Sequence, residues 1–98
     1  MKYIKFGVEY GAPPFFNTDV DKMGHIDFDE MGLSNDLLSR IREWDNDFQN
    51  TFDENYPPDS GFKSENDVFL HNLEGKEISV LMQKELGKDF LVEFVPLK

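Results

Sequence analysis

The sequence contains no cysteine and no run of 18 apolar residues, and only ten of its 98 residues are Lys or Arg. Without cysteine it can form no disulfide framework, no thiolate nucleophile and no zinc site of the finger type. Without a long apolar run it offers no membrane-spanning helix. Residues 1–11 lack the apolar stretch of a signal peptide, so the chain is expected to be cytoplasmic.

Aromatic residues, by contrast, are plentiful and make up 14% of the chain. That content is too high for a disordered tail. A chain of this length can bury one core without covalent staples. We therefore expect a single domain that spans residues 1–98.

Acidic residues outnumber basic ones by twenty to ten, which gives a net charge of −10. Fourteen of the acids and only four of the bases lie in residues 18–67. Such a chain repels nucleic acid and anionic membranes and attracts basic partners, so neither nucleic acid nor a membrane is expected to bind. Solubility alone does not require clustering, although it remains the simpler interpretation of scattered acids.

Two segments alternate between apolar and polar residues and are predicted to be strands. Residues 2–10 place Ile4, Phe6 and Val8 on one face, and the segment ends at two prolines. Residues 90–97 alternate in the same way and should form a closing strand beside the first. A shorter extended stretch is predicted at residues 25–28.

Two segments show helical periodicity. The first is predicted over residues 34–54, with Ser34 as its N-cap. The second begins after Ser64, which opens a capping box, and ends at Gly87. It has two apolar faces rotated by about a third of a turn, with Gly75 between them, so a bend or break is expected there. The apolar positions of the first helix are Leu37, Ile41, Trp44, Phe48 and Phe52.

Together these patterns predict an α+β fold. A small, largely antiparallel sheet of two to four strands should pack against two helical segments as one two-layer domain.

The first predicted helix carries a stripe of acids opposite most of its apolar face, along about 25–30 Å. Glu43 and Asp47 are like charges four residues apart, which slightly destabilises an isolated helix and favours a binding role. The alternative is a solvated face that Arg40 and Arg42 partly balance. The predicted partner-binding residues are Asp36, Glu43, Asp47 and Glu54 in the stripe, with Tyr56 and Asp59 at its rim.

Other side chains near the acids could anchor a binding partner or hold a neighbouring loop in place. Phe15, Phe16 and Tyr56 are expected in loops, where they could supply the desolvated centre of an interface. Asp45 lies on the apolar side of the first helix and needs hydrogen bonds if buried. We expect it to fasten the proline-rich loop at residues 56–61 to the helix, with a binding role as the alternative.

Residues 19–30 resemble a calcium-binding loop. Asp19, Asp21, Gly24, Asp27 and Glu30 occupy the positions of a 12-residue EF-hand loop. A methionine replaces one oxygen ligand, however, and the preceding prolines cannot form an entering helix. The favoured interpretation is a β-turn over residues 21–24 that feeds a short strand, with no metal.

Catalysis has little support in the sequence. His25 and His71 are far apart in the chain and belong to no recognisable triad or metal spacing. The seven glycines are scattered, so there is no phosphate-binding loop. We expect no enzyme activity and no cofactor.

From Gly24 onward the chain contains a series of motifs: Leu33-Ser34, Trp44-Asp45, residues 56–62, Glu74-Gly75 and Glu85-Leu86-Gly87. Their order resembles small acidic bacterial immunity proteins of contact-dependent growth inhibition and related polymorphic toxin systems. The resemblance implies a partner, the C-terminal domain of one cognate toxin, often a nuclease, which the protein would bind and neutralise. The acidic stripe suits a basic toxin. A DNA mimic that inhibits a nucleic-acid-binding protein, or a calcium-binding module, is the alternative.

Overall fold

A computed structural model describes residues 2–98. Short 3-10 turns at 28–30, 57–59 and 87–89 connect the main elements. These elements are β1 (Lys2–Phe6), β2 (Phe15–Asn17), β3 (Gly24–His25), α1 (Asn35–Gln49), α2 (Glu65–Leu86) and β4 (Phe90–Phe94).

The four strands form one mixed sheet in the order β3-β2-β1-β4. Strand β1 lies antiparallel to β2 and parallel to β4, with Ile4 opposite both Asn17 and Val92. Strand β3 pairs antiparallel with β2. The parallel pair β1–β4 needs a long crossover, and the chain between these two strands, which contains both helices, supplies it. The predicted α+β fold and the closing strand beside β1 are therefore confirmed.

Strand β2 was not predicted, and it corrects the role expected for Phe15. The amide of Gly7 donates to the carbonyl oxygen of Pro14 at 3.0 Å, which folds the chain back along β1. Phe15 is consequently fully buried, with its ring centroid 5.9 Å from that of Phe6. It is a core residue and not an exposed anchor. Phe16 points to the opposite face of the sheet and is half-buried.

Helix α1 begins as predicted but ends earlier than the expected residue 54. The amide of Leu37 donates to Ser34 Oγ, which confirms the N-cap. After Gln49 the chain turns, and both the amide and the hydroxyl of Thr51 donate to the carbonyl oxygen of Phe48. Phe52 is therefore outside the helix and 43% exposed. Thr and Asn are weak helix formers, which favours this early end.

Helix α2 is continuous over 22 residues, so the predicted break at Gly75 is wrong. Gly75 is buried instead, beneath the rings of Trp44 from α1 and Phe94 from β4. A Cβ atom at this position would lie 2.5 Å from Phe94 Cε1 and 2.7 Å from Trp44 Cζ2. Glycine is needed here for close packing of three elements and not for a kink.

Only one of the two apolar faces of α2 belongs to the core. Ile78 and Met82 are fully buried, whereas Phe69 and Leu73 are mostly exposed. In the first half of the helix His71 and Gly75 face the core instead.

The outer edge of β4 is partly closed by side chains of α2. The Gln83 amide group donates to the carbonyl oxygen of Phe90 and accepts from the amide of Val92. Asn72 makes the same pair of bonds with Leu97. These contacts satisfy backbone groups that an open edge strand would expose to other chains.

Replacing Gly75 with Ala should lower the free energy of unfolding by about 1–2 kcal/mol. Overpacking typically costs about 1–3 kcal/mol, and the very short Cβ distances place this substitution at about 2–3 kcal/mol, from which the added helix propensity returns about 1 kcal/mol. Denaturant unfolding of Gly75→Ala measures the difference. Lys76→Ala is the control, since this neighbour is exposed and should change stability by less than about 0.5 kcal/mol. Equal stability of the two variants would contradict the packing role.

Candidate functional site

Three of the predicted binding acids lie on the exposed side of α1. Asp36, Glu43 and Asp47 are spaced by seven and four residues, so they share one face of the helix. Within residues 2–98 none of the three forms an ion pair. Their charges are therefore not neutralised by contact with the protein's own Lys or Arg residues.

The other three predicted residues lie beyond the end of α1, in the loop that leads to α2. Tyr56 is 57% exposed, and Asp59 sits in the short 3-10 turn. Asp53 Oδ1 accepts from two backbone amides of this loop, and Ser60 Oγ accepts from the amide of Asp53. Glu54 faces a separate recess beside Tyr10, so it does not continue the predicted stripe of Asp36, Glu43 and Asp47.

The two helices run antiparallel, and a groove of about 530 Å³ opens between their exposed edges. Glu43 and Asp47 line one wall, and Asp67 and Glu74 line the other. Two distant segments of the sequence thus bring four carboxylates to one site. The remaining lining residues are Arg40, Trp44, Phe62, Leu70 and His71.

One of the four carboxylates is already paired. Arg40 binds Glu74 through two hydrogen bonds of 2.8 Å and contacts Glu77 at 3.0 Å. The Arg40 guanidinium holds the pKa of Glu74 below its usual range, and the hydrogen bond to Glu74 raises the pKa of Arg40. Within residues 2–98, Glu43, Asp47 and Asp67 form no ion pair. The groove therefore keeps a net negative charge.

The floor of the groove is aromatic. The rings of Trp44 and His71 stack with centroids 4.4 Å apart and planes 10° apart, and Trp44 Nε1 donates to the carbonyl oxygen of His71. Phe62 packs against His71, and the centroids of their rings lie 5.1 Å apart. His71 is only 7% exposed, and its Nε2 atom has no hydrogen-bond partner among the described residues.

Burial lowers the pKa of His71 below its ordinary value of 6.5, and the nearby Asp47 carboxylate opposes this shift. The imidazole is therefore neutral at physiological pH. The groove thus has acidic walls above an uncharged floor, an arrangement that suits a cationic side chain with an apolar stem.

Comparison with known families decides the class of the protein. The family described as Serratia CdiI immunity protein-like matches residues 2–97. The chain belongs to this family. No curated protein matches the sequence.

Family membership confirms the resemblance found from the sequence. The chain is an immunity protein, which binds and neutralises the cognate toxin domain of a contact-dependent growth inhibition system. It is not an enzyme. Neither helix of the described residues has both the length and the apolar character needed to cross a bilayer.

Part of the groove of this immunity protein could not be found by sequence patterns. Asp67 fits a capping box, and Glu74 sits between two apolar faces, so neither indicated a binding site. Only the antiparallel packing of the helices places them opposite Glu43 and Asp47. The one available signal was the acid-rich composition around Asp67.

Asp45 is buried as predicted, but its partner differs from the expected one. Asp45 Oδ1 accepts from Gln49 Nε2, and Gln49 also bonds to the backbone of Glu9 and Gly11. Asp45 therefore supports the β1–β2 connection and does not fasten the proline-rich loop. Burial raises the pKa of this carboxyl, and the hydrogen bond from Gln49 opposes the shift.

The 19–30 segment of the immunity protein lacks the architecture of a calcium site. Strand β2 precedes it where an EF-hand has a helix, and a turn closes between Asp19 and Lys22, two residues earlier than predicted. Strand β3 then covers only Gly24–His25. Among residues 2–98 no three His, Asp or Glu side chains are grouped to hold a metal ion.

Acid should destabilise the immunity protein through His71. The unfolded chain protonates this residue near pH 6.5 and the folded protein resists protonation, so stability present above pH 6.5 is lost as the pH falls toward the folded pKa. His71→Phe keeps a ring against Trp44 but cannot titrate. Its stability should fall less than that of the wild type between pH 7.5 and 5.5 in urea unfolding.

The matched control is His25→Gln, because His25 is exposed and pairs with Glu9. That variant should retain the acid sensitivity assigned to His71. Parallel pH profiles for His71→Phe and the wild type would show that His71 titrates alike in the folded and unfolded states.

Proposed function

We propose that this immunity protein acts in the cytoplasm and neutralises a basic, nuclease-type toxin domain, which it binds through the acidic groove between α1 and α2. The observation that carries the proposal is the unpaired state of Glu43, Asp47 and Asp67 around one groove with an aromatic floor. A carboxylate without an internal partner is available to a cation from outside.

The proposed partner follows from charge. A nuclease needs a cationic surface to hold phosphates, and an acidic inhibitor can occupy that surface in place of the nucleic acid. The net charge of −10 also favours rapid association, because complementary fields steer two proteins together.

The apolar parts of the groove support the same partner. Leu70 is 52% exposed at the edge of the groove, beside the buried rings of Trp44 and His71. The methylene stem of an Arg or Lys side chain could pack on Leu70 while its head reaches the carboxylates. Partial desolvation strengthens such ion pairs relative to exposed ones.

The other predicted binding residues have a secondary role in this proposal. Asp36 lies near the start of α1, Glu54 faces the recess beside Tyr10, and the loop that carries Tyr56 and Asp59 leads directly to Phe62 in the groove. Exposed charges at a rim change the association rate more than the final affinity. Tyr56 is the exposed aromatic of this group and the best anchor among them.

Reversing the charges of the groove should weaken binding of the cognate toxin domain by several kcal/mol, on the order of 2–5. The variant is Glu43→Lys with Asp47→Lys, and calorimetric titration with the purified toxin domain measures the affinity. Both residues are exposed on α1, so the fold should survive, which circular dichroism can verify.

The matched control is Asp27→Lys with Glu30→Lys. It changes the net charge equally, and neither side chain forms a hydrogen bond or ion pair within residues 2–98 or lines the groove. This control should bind the toxin almost as tightly as the wild type. Equal losses in both variants would assign the effect to net charge alone, and no loss in the groove variant would exclude the groove. Absence of DNA or RNA cleavage by the free toxin would contradict the nuclease assignment.

A further inference from the structure

The outer face of α2 carries a stripe of six exposed residues, here called the α2 stripe. It lies roughly opposite the face that packs on the core, and its members fall within about 100° of the helix circumference. The stripe consists of Glu65, Phe69, Leu73, Lys76, Val80 and Lys84.

The apolar members of the α2 stripe lie outside the core of the described residues. Phe69 is 62% exposed, Leu73 56% and Val80 48%. None belongs to the core cluster or to the residues packed against it. Within residues 2–98, the charged members at either end form no ion pair. Three aligned apolar side chains on a surface helix are typical of a contact face.

The spacing of the α2 stripe is symmetric. Successive members are separated by four, four, three, four and four residues, so the order of gaps is the same in both directions. Reversal places the acidic end of one helix opposite the basic end of another. We propose that α2 pairs antiparallel with α2 of a second copy of this chain, about a two-fold axis between Glu74 and Gly75.

In this arrangement every member of the α2 stripe has a suitable neighbour. Phe69 meets Val80 of the second copy, and the two copies of Leu73 lie on either side of the two-fold axis, about 4.5 Å apart along the helix direction. Glu65 meets Lys84 of the second copy, and this pair occurs twice because the interface is isologous. Lys76 lies over Leu73 of the second copy and can extend its ammonium group into water.

The charge of the α2 stripe favours a second copy of this chain over the basic toxin as its partner. It contains two lysines and one acid, so it does not complement a cationic surface, whereas it does complement itself. The carboxylates of the groove point away from it by about a third of a turn of α2. The pairing therefore leaves the groove open, and the proposal does not depend on the proposed function.

A single helix pair is a small interface. It buries less than the ~1,200–2,000 Å² of a stable specific complex, so we expect a weak dimer with a dissociation constant on the order of 10–100 µM.

Sedimentation equilibrium from low micromolar to millimolar protein should show reversible dimerisation of the wild type. Leu73→Glu places two carboxylates at the axis and should abolish the dimer over this range. Lys84→Glu opposes Glu65 of the second copy at both ends and should raise the dissociation constant about tenfold. Adding Glu65→Lys restores opposite charges and should return the constant to within about threefold of the wild type.

The double variant Glu65→Lys with Lys84→Glu is the decisive control. It keeps the composition of the wild type, and it restores dimerisation only if the helices pair in the antiparallel register. The three substituted residues, Glu65, Leu73 and Lys84, are all exposed, and melting curves of the variants can verify the fold. A wild type that stays monomeric at millimolar concentration, a dimer insensitive to Leu73→Glu, or a double variant without rescue would each overturn the proposal. Loss of toxin binding in a monomeric Leu73→Glu protein would assign the α2 stripe to the toxin instead.

Discussion

The close approach of α2 to Trp44 and Phe94 at Gly75 is the contact on which the rest of the structure depends. It joins both helices and the edge strand at one point, because the rings lie where any side chain on residue 75 would stand. Trp44 is further fixed by its hydrogen bond to the carbonyl oxygen of His71 and by the stack of the two rings. The short distance between the helices is what makes their exposed edges the walls of a single groove.

The groove is negatively charged because only one of its four carboxylates, that of Glu74, pairs with a cation. Arg40 lies between the helices and pairs with Glu74 and Glu77, both on α2, so it stabilises the helix pair without approaching the acids of α1 closely enough to pair with them. Glu43 and Asp47 stay unpaired across from Asp67. This arrangement costs some stability through repulsion between like charges, which is expected where a surface is kept for a partner.

Three faces of helix α2 make different contacts in the molecule. Ile78 and Met82 enter the core, Asp67 and Glu74 line the groove, and Gln83 and Asn72 close the edge of β4. Its fourth side, the α2 stripe, faces solvent with apolar residues. A helix with apolar residues on two faces has a weak amphipathic pattern, which is why its sequence suggested a break where the structure has none.

Much of the fold could be predicted from local chemistry. The alternation of β1 and β4, the caps at Ser34 and Ser64 and the α1 core positions depend on near neighbours in the chain. The structure confirms them, except that Phe52 lies beyond the end of α1 and is exposed. The short strand β2 was missed because two prolines precede it and its pairing depends on β1.

The candidate site shows where the limit lies. The acids of α1 were visible as a stripe because helical periodicity alone places them together. Their neighbours on α2, and the burial of His71 under Trp44, follow from contacts between residues 20 or more positions apart, which no local pattern encodes. The sequence by itself determined the first and last strands, the two helical segments with their N-caps, the excess of negative charge and the family. Tertiary packing alone decided which carboxylates share a groove and which apolar residues remain outside the core, because those outcomes depend on the distance and orientation between helices.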